Sequence, residues 1–151
     1  MKKIILLVMI LESLNIVFAE TRNIGLNAAI RETKDIRKEL SILFRKKSVE
    51  SLRKYLDEDF KYYDDINFSS KGGKPYKNIM EVKDKIPWLE LSRVFENYNS
   101  SSYYGGGTRN EWLILQRMGS YTKKNENIRI RLELSPGSTD WKIAEISVRW
   151  E

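Results

Sequence analysis

The sequence contains no cysteine and no histidine among its 151 residues. Without cysteine there is no disulfide framework, no thiol nucleophile and no lipid-modified cysteine behind a signal sequence. Without histidine, Ser-His-Asp triads are excluded, and the two absences together remove the usual zinc ligand sets. Any catalysis would have to come from Asp, Glu, Tyr, Lys or Arg. The N-terminal apolar run, Ile4 to Ile10, is too short to span a bilayer and is soon interrupted by Glu12, Ser13 and Asn15.

That run nevertheless has a recognisable place. Lys2 and Lys3 form a positive n-region, Ile4 to Ile10 an apolar h-region, and Val17-Phe18-Ala19 a small-residue cleavage site. Residues 1–19 are therefore expected to be a signal peptide cut after Ala19, leaving residues 20–151 as one exported domain, periplasmic or extracellular. Cleavage removes Lys2, Lys3 and Glu12 and lowers the formal charge from +6 to +5. A composition 41% hydrophobic and 11% aromatic is ample for a single core. The basic residues Arg31, Lys34, Arg37, Lys38, Arg45, Lys46 and Lys47 are mixed with Glu32, Asp35 and Glu39, as on a solvated helix face with charge pairs three or four residues apart. Neither a nucleic-acid partner nor a membrane span is expected.

Leu26, Ile30, Ile36, Leu40, Leu43 and Phe44 follow helical spacing and predict one helix of about five turns. Ser48 then caps a shorter helix that buries Val49, Leu52, Tyr55 and Leu56, and Asp57-Glu58-Asp59 ends it. FKYYDD, residues 60–65, reads as a short aromatic strand followed by a polar loop. Asn78 to Ile86 is a third helix, stopped by Pro87. Four strands are expected after it: 89–98, which also fits a helix, then 110–121, 127–134 and 141–150.

The last two strands define their own register. In NIRIRLEL, Ile128, Ile130, Leu132 and Leu134 face one way and Arg129, Arg131 and Glu133 the other. DWKIAEISVRW alternates too, but its apolar set slips from odd to even positions midway. Pairing Leu132 with Ile143 puts Glu133 opposite Lys142, and one extra residue near Ala144 then restores Ile130 to Ile146 and Ile128 to Val148, with Arg131 facing Glu145. A β-bulge at that point answers the slip and bends the sheet. In EWLILQRM both faces carry apolar groups, Trp112, Ile114 and Met118 against Leu113 and Leu115, which marks an interior strand whose far side meets a second subunit or the chain's own terminus.

Helices first, a strand after LDEDFKYYDD, a helix entered through GKPYKNIMEV, and a curved sheet closing with WKIAEISV: this order resembles the nuclear transport factor 2-like superfamily over residues 26–151. Asp59-Phe60 opening the first strand and the tryptophan-led last strand carry the resemblance. It implies an α+β cone in which N-terminal helices pack in a strongly bent antiparallel sheet around an apolar pocket, often as a homodimer that pairs sheet faces. Family enzymes use a carboxylate base with a tyrosine or acid donor, or a histidine-carboxylate pair. The latter has no counterpart here, and no catalytic residue carries across.

Among chemistry-bearing residues, Asp57, Glu58, Asp59, Asp64 and Asp65 form an acidic cluster. Read as an EF-hand loop from Asp65, it has Ser70 where glycine is required and Tyr76 where the bidentate glutamate belongs, so a solvated turn is the better account. SKGGKPY lacks P-loop spacing, and YYGGGTRN at 103–110 reads as a loop that could form a rim. Core packing is expected for Trp112 and Trp150. Glu145, if the bulge turns it inward, is a pocket carboxylate; otherwise it pairs with Arg131 on the exposed face. The candidate ligand-binding residues are Tyr62, Trp88, Tyr103, Tyr104 and Glu145, with no catalytic, cofactor or metal site assigned. The expected role is non-catalytic binding of a small apolar or amphipathic ligand or a protein partner. The alternatives are an isomerase- or cyclase-type enzyme using a carboxylate with a tyrosine, and an immunity- or inhibitor-type interaction protein.

Overall fold

A computed structural model describes residues 25–64, 73–106, 109–120 and 125–150. The expected signal peptide and Asp65 lie outside these residues. The first apolar stripe forms not one helix but two, α1 (Gly25–Glu32) and α2 (Lys34–Arg45), broken at Thr33. The break has a side-chain cause. Thr33 is buried, and its hydroxyl donates to the Ala29 carbonyl at 2.8 Å, a back-bond that loosens and bends a helix. Arg37 reaches into the opening and donates to the Ile30 carbonyl at 3.0 Å.

After α3 (Val49–Leu52) and one 3-10 turn (Arg53–Tyr55), the chain turns extended at Leu56 and enters β1 (Leu56–Tyr63). Ser48 stands before α3, but its hydroxyl donates to the Ser51 hydroxyl at 2.8 Å rather than capping a backbone N–H. Asp57, Glu58 and Asp59, expected to end a helix, instead begin this strand. The third helix is a single turn, α4 (Ile79–Val82), with Asn78 Oδ1 accepting from the Met80 N–H at 2.9 Å as a proper N-cap.

The segment expected as a strand at 89–98 is a helix, α5 (Trp88–Glu96). Its buried residues, Trp88, Leu91, Ser92, Val94 and Phe95, recur every three to four positions and form one stripe, whereas a strand would have buried Glu90 or Glu96 beside them. α5 lies antiparallel on α2. Phe44 packs on Trp88 and Phe95 with ring centroids 5.7 and 5.4 Å apart, Ser41 donates to Glu96 at 2.7 Å, and Arg45 pairs with Glu96.

The sheet runs β1-β5-β4-β3-β2, where β2 is Ser100–Gly106, β3 Arg109–Ser120, β4 Asn125–Leu134 and β5 Lys142–Trp150. It is antiparallel except at β1, which pairs parallel with β5, so the sheet is mixed rather than wholly antiparallel. β2 was expected as a loop; its SSSYYGG composition has no strand pattern, and its conformation comes from pairing with β3, Ser100 to Gln116 through Tyr104 to Trp112. Between β4 and β5, Glu133 pairs with Lys142, Leu132 with Ile143, Arg131 with Glu145, Ile130 with Ile146 and Ile128 with Val148, leaving Ala144 as the bulged residue. The hairpin turn is Ser135-Pro136-Gly137-Ser138, closed by Ser138 N–H to the Ser135 carbonyl at 3.0 Å, with Gly137 at φ 75° as a type II turn requires.

One face of this sheet is covered by the helices. Leu113, Leu115, Ile128, Ile130, Leu132, Ile143, Ile146 and Val148 are buried against Leu40, Phe44, Leu91, Val94 and Phe95. Each such side chain contributes on the order of 1.5–3 kcal/mol by leaving water. The other face carries no helix among the described residues.

Two changes test these constraints. At Gly105, φ is 104° and a Cβ would lie 2.2 Å from the Asn110 carbonyl oxygen. Gly105→Ala is expected to lower unfolding stability by about 2 kcal/mol in chemical denaturation. Deleting Ala144 removes the bulge but keeps the core residues of β5 facing the helices, whereas deleting Ser147 turns Val148 outward. The first variant is expected to melt cooperatively with stability lowered by about 2 kcal/mol, the second to show no cooperative melt.

Candidate functional site

The helix-free face of the sheet is built by alternation. On β3 it receives Trp112, Ile114, Gln116 and Met118; on β4, Arg129, Arg131 and Glu133; on β2, Tyr104. The bulge adds two consecutive residues, Ala144 and Glu145, to the same face. Apolar groups thus stand beside ionised ones. Trp112 is 38% exposed, Tyr104 54% and Met118 55%.

Arg131 lies at the centre, its guanidinium 5.1 Å from the centroid of the Trp112 ring in a cation–π contact. Glu145 accepts from Arg129 at 2.7 Å and stands 3.8 Å from Arg131, whose other carboxylate neighbour is Glu133 at 3.9 Å. The Arg131 Nε is buried and has no hydrogen-bond partner among the described residues. Arg131 is therefore held by stacking and by long ion pairs rather than by close hydrogen bonds.

Tyr104, Trp112, Ile114, Arg129, Arg131 and Glu145 line a shallow cleft of about 260 Å³. Trp112 and Arg131 also form one wall of a larger cleft of about 620 Å³, which extends to Asp57, Asp59, Lys61 and Lys142. That second cleft exists because β1 loops outward from β5: Leu56 is opposite Ile143, but Lys61 is opposite Glu145. Its walls are chiefly charged and polar, those of the smaller cleft mixed aromatic, aliphatic and ionic.

Tyr104 and Glu145 meet in the smaller cleft, and Glu145 pairs mainly with Arg129, the diagonal neighbour, rather than with Arg131 opposite. The other three candidates lie elsewhere. Tyr62 is buried in the core, paired by two backbone hydrogen bonds to Tyr76. Trp88 is buried against Phe44, its Nε1 donating to the Lys83 carbonyl at 2.9 Å. Tyr103 faces the helix side and donates to Glu111 Oε2 at 3.0 Å, tying edge strand β2 to β3. Buried in the core, as Tyr62 and Trp88 are, or bonded across to a neighbouring strand, as the partly buried Tyr103 is, such aromatics stabilise the fold and line none of the clefts described here. Trp112, expected in the core, is instead the half-exposed centre of the open face; the two-sided apolar pattern of EWLILQRM signalled such a residue but not which face it took. The side chain of Trp150 lies outside the described residues.

A third concavity, about 390 Å³, lies between α2 and the start of β5, lined by Asp35, Glu39, Lys54, Tyr55, Asp140 and Trp141 among others. Here burial raises the Tyr55 phenol above its usual value of 10.0, with a hydrogen bond to Glu39 adding to the effect and Lys54 opposing it. Lys54 is raised above 10.5, first by its hydrogen bond with Tyr55. Among the described residues no group of three acidic side chains is placed to hold a metal ion.

The class defined by these features is an α+β domain with helices on one face of a bent five-stranded sheet and an aromatic-ionic patch on the other. Among solved structures it is similar to nuclear transport factor 2-like proteins. A protein of this kind with a cystatin-like fold from Novosphingobium aromaticivorans is 12% identical, with 80% of each chain covered and a TM-score of 0.46. One from Shewanella oneidensis is 7% identical over 80% of this chain and 98% of that chain, at 0.45. The beta subunit of benzoate 1,2-dioxygenase from Burkholderia mallei is 10% identical over 75% of this chain and 84% of that chain, at 0.45. No family model and no curated protein matches the sequence.

The raised Tyr55 and Lys54 values predict the sign of an alkaline effect. A group raised in the fold contributes stability below its unfolded value and loses it as pH rises through the folded one. Stability is expected to hold steady to about pH 9 and to fall above about pH 10. Denaturation titrations of the parent and of Tyr55→Phe check this, with a shallower alkaline slope in the variant.

Proposed function

We propose that the chain is an exported, non-catalytic binding domain that engages a protein partner through the open face of its sheet. The n-region, h-region and cleavage pattern of residues 1–19 support export. The observation that carries the binding reading is Trp112, 38% exposed and stacked by Arg131 where two clefts meet. Tryptophan and arginine are the residues most enriched at energetic centres of protein interfaces, and the surrounding Tyr104, Ile114 and Met118 supply the apolar area such a centre needs.

Magnitudes favour a protein over a small molecule. Ligand pockets usually enclose about 300–1,000 Å³ with apolar walls. The apolar cleft here is about 260 Å³ and open to solvent, and the larger one is walled chiefly by charged groups. Carboxylates share clefts with tyrosines, Glu145 with Tyr104 in the smaller and Glu39 with Tyr55 in the third, but Glu145 is ion-paired to Arg129 and Glu39 to Lys54, and Glu111, which accepts from Tyr103, is buried and lines none of the three clefts described above.

Native mass spectrometry of the mature chain, 20–151, purified gently from its exported fraction, tests the reading. A complex of protein-sized added mass, with a partner or a second copy, is expected, and Trp112→Ala should weaken it about tenfold or more. A small-molecule adduct would transfer the function to ligand binding, and a clean monomer at high concentration would overturn the proposal.

A further inference from the structure

The two edges of the sheet are built on opposite principles. On the β1 side, Tyr76 bridges Tyr62 with backbone hydrogen bonds of 2.9 and 3.0 Å, and the first half of the strand loops outward carrying Asp57, Glu58 and Asp59. Bulging, charge and a covering segment are the devices by which natural sheets prevent another strand from adding. β1 has all three.

Along its regular part β2 has neither charge nor bulge, and the described segment packed beside it, α1, joins it by no backbone hydrogen bond. Its seven residues, SSSYYGG, include no charge and no proline, and it pairs in unbroken register with β3 from Ser100 to Tyr104 before the bulge at Gly105. It ends the sheet, and among the described residues no backbone hydrogen bond joins it to any segment except β3. Alternate N–H and C=O groups of such a strand point away from the sheet, ready to pair with an extended chain.

The ends of this neutral edge are bracketed by cations. Arg109 is opposite Gly106 at one end. At the other, Arg117 extends past the start of β2 and donates to the Asn97 carbonyl at 3.2 Å. A second copy of the chain adding antiparallel here would bring Arg117 of one molecule toward Arg109 of the other, between chains that each carry a net positive charge. An acidic segment meets no such opposition and gains from both arginines.

We infer that β2 is a docking edge for an extended segment of a partner protein, an uncharged β-forming stretch flanked by acidic residues. Backbone pairing provides the affinity and the flanking charges the selection. This inference goes beyond the open-face reading and stands without it.

The test uses the mature chain and two capped peptides, one of alternating Thr and Val with two Glu at each end, the other with Lys in place of Glu. Hydrogen exchange and calorimetry are the readouts. In the free protein the outward amides of Ser100 to Tyr104 are expected to exchange quickly; the acidic peptide should slow them about tenfold or more, and the basic peptide should bind at least about tenfold more weakly. The double variant Arg109→Glu, Arg117→Glu should reverse the order of the two peptides. Of Ser101→Pro and Ser102→Pro, the one that removes an outward N–H should abolish binding while the fold persists, and Ser102→Thr should retain it. Amides already slow in the free chain, no protection by millimolar acidic peptide, or equal binding of both peptides would each overturn the inference.

Discussion

The β-bulge at Ala144 is how this sequence turns both apolar sets of β5 toward the helices. Ala144 has no partner on β4, and its presence allows Trp141 and Ile143 before it, and Ile146 and Val148 after it, to point at the same helix layer although their sequence parity differs. An unbulged strand of this sequence would turn toward the helices either Glu145, Ser147 and Arg149 together, or Asp140 and Lys142, at a cost of several kcal/mol per unpaired charge. The same extra residue presents Ala144 and Glu145 consecutively to the open face. One inserted residue thus both reconciles the parity of the core residues and sets two neighbours on the open face.

The helix layer is organised by a comparable constraint. The Thr33 back-bond breaks what the apolar spacing alone would make a continuous helix, and Arg37 ties the two halves to α5 by donating to the Ile30 carbonyl at the end of α1 and the Phe95 carbonyl at the end of α5, at 3.0 and 3.2 Å. Cationic donors are favoured at helix C-termini, where carbonyls lack partners. Arg37 also lies 5.5 Å from the Tyr98 ring. What composition suggests is a solvated charge is a bracket between three segments, and Arg45, bonded to Ser92 and paired with Glu96, is a second one.

These cases explain which parts were legible beforehand. β4 and β5 could be read to the residue because strict two-residue periodicity on one strand, a parity slip on its neighbour and one favourable pair, Glu133 with Lys142, leave a single register that buries every apolar side chain. α5 could not, since Leu89, Leu91, Val94 and Phe95 are aliphatic and aromatic residues that suit a strand by composition and a helix by spacing. β2 carried little local signal: apart from Tyr103 and Tyr104 it is serine and glycine, which take up strand geometry because β3 offers a ladder. For the site, Glu145 was traceable through the bulge and Tyr104 through its neighbouring glycines, but Tyr62 and Trp88 look identical in sequence whether they line a pocket or fill a core. The decision is made by neighbours distant in the chain, Tyr76 for one and Phe44 for the other.

The resulting molecule separates its polar chemistry from its hydrophobic support. On the helix side the interior is closed by large side chains, and its buried carboxylate, Glu111, is engaged by Tyr103. On the open side the ion pairs among Arg129, Arg131, Glu133 and Glu145 lie beside Trp112, which stays 38% exposed. Rigid, partly desolvated aromatic and guanidinium groups lose little entropy when a second surface is laid on them, and recognition surfaces benefit from that economy. Arg131 concentrates the argument: its cation is stacked on Trp112, its ion pairs are longer than hydrogen bonds, and its Nε is buried without a partner. A guanidinium placed for internal stability alone would be expected to close those contacts. Its position is better accounted for by its contact with Trp112 at the junction of the two clefts.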